Sequence, residues 1–354
     1  MKKLLFCLVV VVALVVGVVL TACGEPEQEK YFEWTLSEVR PPGSTTSMPY
    51  EFWAAEMERR TEGHFKVNIS WGGELAGMTE AAPLCGQGVF EMCGYSPFVS
   101  PGQTPLYPMA SLPLLAPDKD QDRTHLCQYI VTHPAVQEEA INAFNIVPIL
   151  AYYTTPFVLY TNTKIEKYED FKGLRIFSDP ADAPMYVGMG LTPVTSGDYY
   201  AQYEMMQKGM IDIAAMSTTS GKSVNLNEVT KYIMTTYFWY GSVPIAVNKD
   251  AWEELPQYIR DISDEILRDD MPAKCEEVFG PALEEYLAYF KEVGMEIIEP
   301  SADMRAKCMD AAKGSWQTKI EAIEGQGFPV REFLRDVIAY REQLTGESWT
   351  GYQP

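Results

Sequence analysis

The stretch that decides the fold opens Tyr168-Glu169-Asp170-Phe171-Lys172-Gly173-Leu174-Arg175-Ile176-Phe177. It passes through Gly190-Leu191-Thr192-Pro193-Val194 and closes Tyr203-Glu204-Met205-Met206-Gln207-Lys208-Gly209-Met210-Ile211-Asp212. Gly173 ends a turn, and Leu174 to Phe177 is a short apolar run of strand type. Ala181 to Met189 has helical spacing, with Gly190 as its stop. Thr192 to Val194 is a second strand. Tyr199 to Lys208 is helical up to Gly209, and Ile211 to Ala215 is a third strand. Alternating strand and helix predicts a parallel sheet in an α/β protein.

Outward from this stretch the pattern continues in both directions. Phe32 to Glu38 alternates apolar and polar residues and reads as the first strand. Ser47 to Arg60 is an amphipathic helix with Phe52, Trp53 and Met57 on one side. Phe65 to Trp71 is a strand with Val67 and Ile69 inward. Met78 to Gln87 is helical and Glu91 to Tyr95 is a short strand. Pro97 to Pro117 is proline-rich and irregular. Gln121 to Thr132 and Pro134 to Phe144 are helices. Ile146 to Tyr153 and Phe157 to Thr161 carry the chain into a second lobe, and Tyr232 to Thr236 and Val243 to Asn248 bring it back. Pro256 to Val293 is nearly unbroken helix pattern with kinks at Pro272 and Pro281. Ala302 to Ile323 and Val330 to Leu344 close the chain as helices.

The chain holds 354 residues with 28 Lys+Arg against 49 Asp+Glu, a net charge of −21. Such an acidic surface repels nucleic acid. The length exceeds what one core normally supports, so two lobes are expected. Lys2 and Lys3 precede an apolar run from Leu4 to Leu20, and Leu20-Thr21-Ala22-Cys23 follows. This is the pattern of a lipoprotein signal peptide over residues 1–22, with Cys23 as the lipidated residue and 23–30 as a polar tether. An uncleaved membrane anchor is the alternative, since the run is almost long enough to span. There are seven cysteines. After Cys7 and Cys23 are set aside, Cys85, Cys93, Cys127, Cys275 and Cys308 remain. Buried apolar thiols are the simpler reading, with Cys85–Cys93 and Cys275–Cys308 as pairings that export would permit.

Catalytic and metal-binding patterns are missing. His64, His125 and His133 have no metal-ligand spacing. Gly221-Lys222-Ser223 has Met216 where a phosphate loop needs its first glycine. Gly94-Tyr95-Ser96-Pro97-Phe98 lacks the last glycine of a nucleophile elbow. Gly188-Met189-Gly190 lacks the third glycine of a dinucleotide fingerprint. No active site and no cofactor is expected.

The order Glu169-Asp170-Phe171-Lys172-Gly173-Leu174-Arg175-Ile176, Gly190 to Val194, then Tyr203 to Asp212 resembles the solute-binding proteins of TRAP transporters (tripartite ATP-independent periplasmic transporters), the DctP-like group. Further matching pieces are Thr61 to Val67, Gly72 to Gly77, Gly88 to Met92, Leu112 to Leu114, Glu228 to Tyr232 and Asn248 to Pro256. The resemblance implies a two-lobed fold of the periplasmic-binding-protein type II kind. Each lobe is a mixed sheet flanked by helices, and crossing strands and a long spanning helix join the two. Lobe I is expected over 31–153 with 242–285 returning to it. Lobe II is expected over 154–241, with 286–354 packing on it. The implied function is capture of a small organic solute outside the cytoplasm and its delivery to a small and a large integral membrane subunit. A receptor for an ATP-driven importer shares this architecture, and a secreted two-lobed enzyme is the alternative from another class.

The resemblance also implies site residues. The family's carboxylate-binding arginine falls on Phe177. A second ligand arginine, sixteen residues before Gly173, falls on Phe157, and a family asparagine falls on Met216. Polar anchors have become apolar, which predicts a ligand with an aromatic or apolar body and at most one acidic group. Arg175 shares a strand face with Phe177 and is either a replacement cation or a surface residue. Arg40, after the first strand, is the better cation candidate. Tyr237 falls where the family places a ligand-side polar residue. Trp71 ends a strand facing the cleft, and Tyr95-Ser96 lies at another strand end.

Overall fold

The computed structural model describes residues 30–354 except 113–114, 181, 197 and 352–353, together with all but the side chains of 236–238 and 315 in its helices and strands. The expected signal peptide and Cys23 lie outside the described residues. Among the described residues nine strands form one sheet in the order β2-β1-β3-β8-β4-β7-β5-β6, with β9 also paired to β8. They are β1 (Phe32–Ser37), β2 (Phe65–Ser70), β3 (Met92–Gly94), β4 (Ile146–Thr161), β5 (Arg175–Phe177), β6 (Thr192–Val194), β7 (Ile213–Ser217), β8 (Tyr232–Asn248) and β9 (Glu296–Ile298).

The deciding stretch folds as its glycine spacing predicts. β5 runs parallel to β6, with Ile176 opposite Pro193, and parallel to β7, with Ile176 opposite Ile213. The helix Ala183–Gly188 ends where Gly190 takes φ +83°. There Gly190 N–H donates to the Val187 carbonyl and Leu191 N–H to the Tyr186 carbonyl. That pair of bonds needs a residue in the left-handed region, which glycine enters without strain.

The crossing is simpler than expected. The two strands anticipated on the way out are one 16-residue strand, β4, and the two on the way back are one 17-residue strand, β8. They pair antiparallel from Ile146–Asn248 to Thr161–Tyr232, with register shifts between Tyr153 and Pro156 and between Pro156 and Val158. Pro156 has no N–H to give, and a bulge is where a strand tolerates that.

On one side of the shift, Trp34, Trp53, Phe65 and Leu150 share a core. On the other, two cores cover the faces of the β7-β5-β6 sheet. One is built on Ile176, Tyr186 and Trp239, the other on Tyr160, Phe177, Met216 and Phe290. The spanning helix is present but segmented as Gln257–Glu265, a π-helical turn Ile266–Asp270, Met271–Phe279 and Ala282–Glu292. Ile259 to Phe279 pack in the first core and Phe290 in the second lobe. The terminal helices do not rest on lobe II alone. Met304, Cys308 and Ala312 pack there, but Trp316, Ile320, Phe333 and Leu334 pack in one cluster with Leu106, Met109, Leu112, Leu126 and Val131. A helix of 23 residues, Ala302–Glu324, is roughly 35 Å long and reaches both. The five described cysteines are buried free thiols.

Candidate functional site

A cleft with an enclosed volume of about 70 Å³ lies beside the register shift in β4 and β8. Its walls are Arg40, Thr46, Ser96, Phe98 and Ser111 on one side and Asp179, Asp182, Tyr199, Tyr200, Ser217 and Ser220 on the other. Thr154, Phe157, Gly241 and Ser242 of the crossing strands form its floor. Arg40 follows β1, Ser96 follows β3, Asp179 follows β5 and Ser217 ends β7. Ligands in open α/β sheets lie at such strand ends.

Arg40 is held from behind. Glu38 is fully buried, and its Oε1 accepts the backbone N–H groups of Val39 at 2.8 Å and Arg40 at 3.0 Å. Arg40 Nη1 donates to Glu38 Oε1 at 2.9 Å and Oε2 at 3.1 Å. Burial opposes the charge on Arg40, yet the Glu38 carboxylate, with Tyr200, Tyr50 and Tyr152 around it, holds its pKa above the usual arginine value. Gly94 makes room for this pair, since a Cβ there would stand 2.8 Å from Glu38 Oε2.

Across the cleft the aromatic rings nest. Phe157 lies 6.3 Å from Tyr199 at 29°, and Tyr199 meets Tyr200 edge-on at 5.3 Å. Gly241 lets the Phe157 ring lie against the backbone, because a Cβ at that position would stand 2.6 Å from the ring. Asp179 and Asp182 stand beside these rings. Burial, and then the charge of Asp182, push the Asp179 carboxyl up to about 7. Asp182 takes an ion pair from Lys319 at 3.3 Å.

Of the residues singled out in the sequence, Arg40, Ser96 and Phe157 meet in the cleft. The other described ones do not line it. Phe177 is buried behind Tyr199, edge-on to it at 6.0 Å. Met216 faces the core, and its neighbour Ser217, opposite Phe157 in the β4–β7 register, lines the cleft instead. Tyr95 is buried in the core below Ser96, and Trp71 packs on Tyr50 at 6.2 Å. Arg175 is taken by Asp212, through Nε at 2.9 Å and Nη2 at 2.8 Å, with 41% of its side chain exposed. That is the surface alternative. Tyr237 lies on β8, and its side chain is among those not described. Asp179 and Asp182 escaped the sequence reading. The available signal was their position just beyond a parallel strand, where ligands bind.

Two strand-end walls around a hinge-like crossing define a binding protein of the two-lobed type. The family profile of the bacterial extracellular solute-binding proteins, family 7 (DctP), matches residues 36–322, and the chain belongs to that family. Membership places it among solute receptors rather than enzymes. A solute-binding protein of Albidiferax ferrireducens is 25% identical over 217 residues, 59% of this chain and 62% of that one. Another from Verminephrobacter eiseniae is 24% identical over 211 residues, 57% of this chain and 60% of its own. The alignments thus span about 60% of these curated relatives' length.

Among solved structures, a TRAP solute-binding protein from Rhodoferax ferrireducens, in complex with copurified benzoate, superposes with a TM-score of 0.79. The identity is 18%, covering 89% of this chain and 98% of that one. A Bordetella pertussis extracytoplasmic solute receptor binding pyroglutamic acid superposes at 0.72 with 20% identity, over 87% and 99%. At these identities the likeness shows the fold. Among the described residues no helix is long and apolar enough to cross a membrane.

Proposed function

We propose that this chain is the exported receptor of a TRAP transporter, tethered at a membrane face by a lipid on Cys23. It captures a small organic solute in the cleft and passes it, chemically unaltered, to a small and a large integral membrane subunit. The lobes expected over 31–153 with 242–285, and over 154–241, close about the bulged strands. A ligand touching both walls favours the closed state through contacts it makes only there. The lipid assignment rests on Ala22-Cys23 after the apolar run.

The observation that carries the reading is the lining itself. Phe98, Phe157, Tyr199 and Tyr200 line the cleft together with an arginine that already has a carboxylate partner. An aromatic or apolar body with at most one acidic group suits such walls. The test is thermal-shift screening of the chain from residue 23 onward against aromatic acids, keto acids, sulfonates and neutral aromatics. Binding to the folded state raises the midpoint by mass action. Tight binding of a dicarboxylate, unchanged in Phe157→Ala, would contradict the proposed ligand.

A further inference from the structure

The charged residues lining the cleft are one arginine and two aspartates, Arg40, Asp179 and Asp182. Their partners divide unequally. Arg40 is matched by Glu38 and Asp182 by Lys319, at 3.3 Å. Asp179 has a like charge for a neighbour rather than a counter-ion. It lines the same cavity as Phe157, Tyr199 and Tyr200, and its charge, after burial, helps to push up the hydroxyls of Tyr199 and Tyr186. On the opposite wall Ser111 is 8% exposed, and its Oγ is buried with no hydrogen-bond partner. That is a polar atom lining the cavity with nothing from the chain to bond.

A carboxylate ligand gains little here. It meets one guanidinium whose Nη1 already serves Glu38, and two acids that repel it. A cation gains on both counts. A carboxylate in a cavity that aromatic rings also line attracts an ammonium group, and the attraction grows as the site sheds water. A bare metal ion is a poorer fit, since no group of three or more metal-binding side chains occurs among the described residues.

We propose that the cleft selects an aromatic or apolar solute bearing a protonated amine, with Asp179 receiving the ammonium and the Phe157–Tyr199 rings covering it. The proposal rests on the receptor reading above and names the ligand class for that site. An added carboxylate on the same solute, as in an amino acid, would find its cation in Arg40 on the opposite wall.

Ionisation of Asp179 follows from the same contacts. The groups facing it are Asp182 with its partner Lys319, and the hydroxyls of Tyr186 and Tyr199. Its carboxyl titrates near 7, and only its charged form attracts an ammonium. Affinity for the amine therefore rises with pH between 6 and 8, by about tenfold, as the ionised fraction grows.

The experiment is calorimetric titration of the purified chain with three probes, 2-phenylethylammonium, L-phenylalanine and benzoate, at pH 6 and pH 8. The wild-type chain is compared with Asp179→Asn and with Arg175→Ala as a surface control. We expect an amine probe to bind, more tightly at pH 8. We expect Asp179→Asn to lose about tenfold or more at pH 8 and to become insensitive to pH, and Arg175→Ala to match wild type. Benzoate binding that Asp179→Asn leaves unchanged or improves, with no amine binding, overturns the amine assignment and leaves the receptor reading standing. Amine binding equally tight in Asp179→Asn overturns it too. If all three probes fail, the amine assignment falls, while the receptor reading falls only if the wider screen also finds no ligand.

Discussion

The two walls of the cleft are both built from residues just past a strand end, and they solve the problem of buried charge in opposite ways. Past β1, Glu38 and Arg40 neutralise each other through two side-chain hydrogen bonds, and the carboxylate is further held by two backbone N–H groups. Past β5, Asp182 pairs with Lys319, and Asp179 is left without a counter-ion, its carboxyl pushed up by burial and by Asp182. The first wall is electrostatically complete in the free protein. The second is short of one positive charge, which is what a wall awaiting a cationic ligand requires.

The sharpest way to break this contrast is to remove the buried carboxylate from the complete wall. Glu38→Ala leaves Arg40 desolvated with no counter-ion, and breaking a buried pair from one side is strongly destabilising. A loss of about 3–5 kcal/mol is expected in urea denaturation, with the denaturant slope unchanged. A loss below about 1 kcal/mol would mean that Arg40 swings to water and the wall is not preformed.

The incomplete wall predicts the opposite sign. The folded pKa of Asp179, about 7, lies above that of an unfolded aspartate. The folded state therefore holds a proton that the unfolded state has released between roughly pH 4 and pH 7. Stability from this group is full below the unfolded value, falls as pH rises through 7 and is level beyond it. Asp179→Asn removes that loss and should stabilise the free protein by roughly 2 kcal/mol at pH 8, with little change at pH 4. Denaturation midpoints of both proteins across that range check it. A destabilised Asn variant at pH 8 would show that the carboxylate is already satisfied.

How far the sequence anticipates these walls depends on whether a residue sits inside a periodic element. Gly173, Gly190 and Gly209 punctuate β5, β6 and β7, so the parallel order of the second lobe was legible. The continuity of β4 and β8 was not, because Pro156 and Gly241 read as strand breakers and only the pairing of two long strands absorbs them. Counting along a strand has a fixed hazard, since a slip of one residue turns the other face. The count lands on Met216, which faces the core, while its neighbour Ser217 lines the cleft. Arg40, Ser96 and Phe157, which do line the cleft, each belong to the end of an element or to the crossing itself. Asp179 lies beyond a three-residue strand, where no period constrains it.

Gly241 tests whether the crossing strands shape the floor of the cleft. Its missing side chain is the space that Phe157 occupies. Gly241→Ala must displace that ring, which itself stacks on Tyr199 at 6.3 Å. A cost of about 1–2 kcal/mol is expected, as for overpacking elsewhere, together with a several-fold weaker affinity for any aromatic ligand. Gly241→Ala combined with Phe157→Leu should recover part of the stability and none of the aromatic affinity. Thermal midpoints with and without ligand separate the two effects.

Arg175 supplies the weakest effect and sets the scale for the rest. It carries the same forked geometry as Arg40, and Asp212 holds it bidentately, drawing the Asp212 carboxyl below its usual range, chiefly through the hydrogen bond from Arg175. Its side chain is 41% exposed and outside the cleft lining, so water screens the pair and could solvate either partner alone. Arg175→Ala should cost about 1 kcal/mol or less and leave ligand affinity unchanged within error. The same kind of ion pair is thus expected to differ several-fold in its contribution between the buried end of β1 and the exposed start of β5. If Arg175→Ala instead lowered affinity tenfold, the cation of this receptor would lie on β5, and the assignment of the complete wall to Arg40 would have to be reversed.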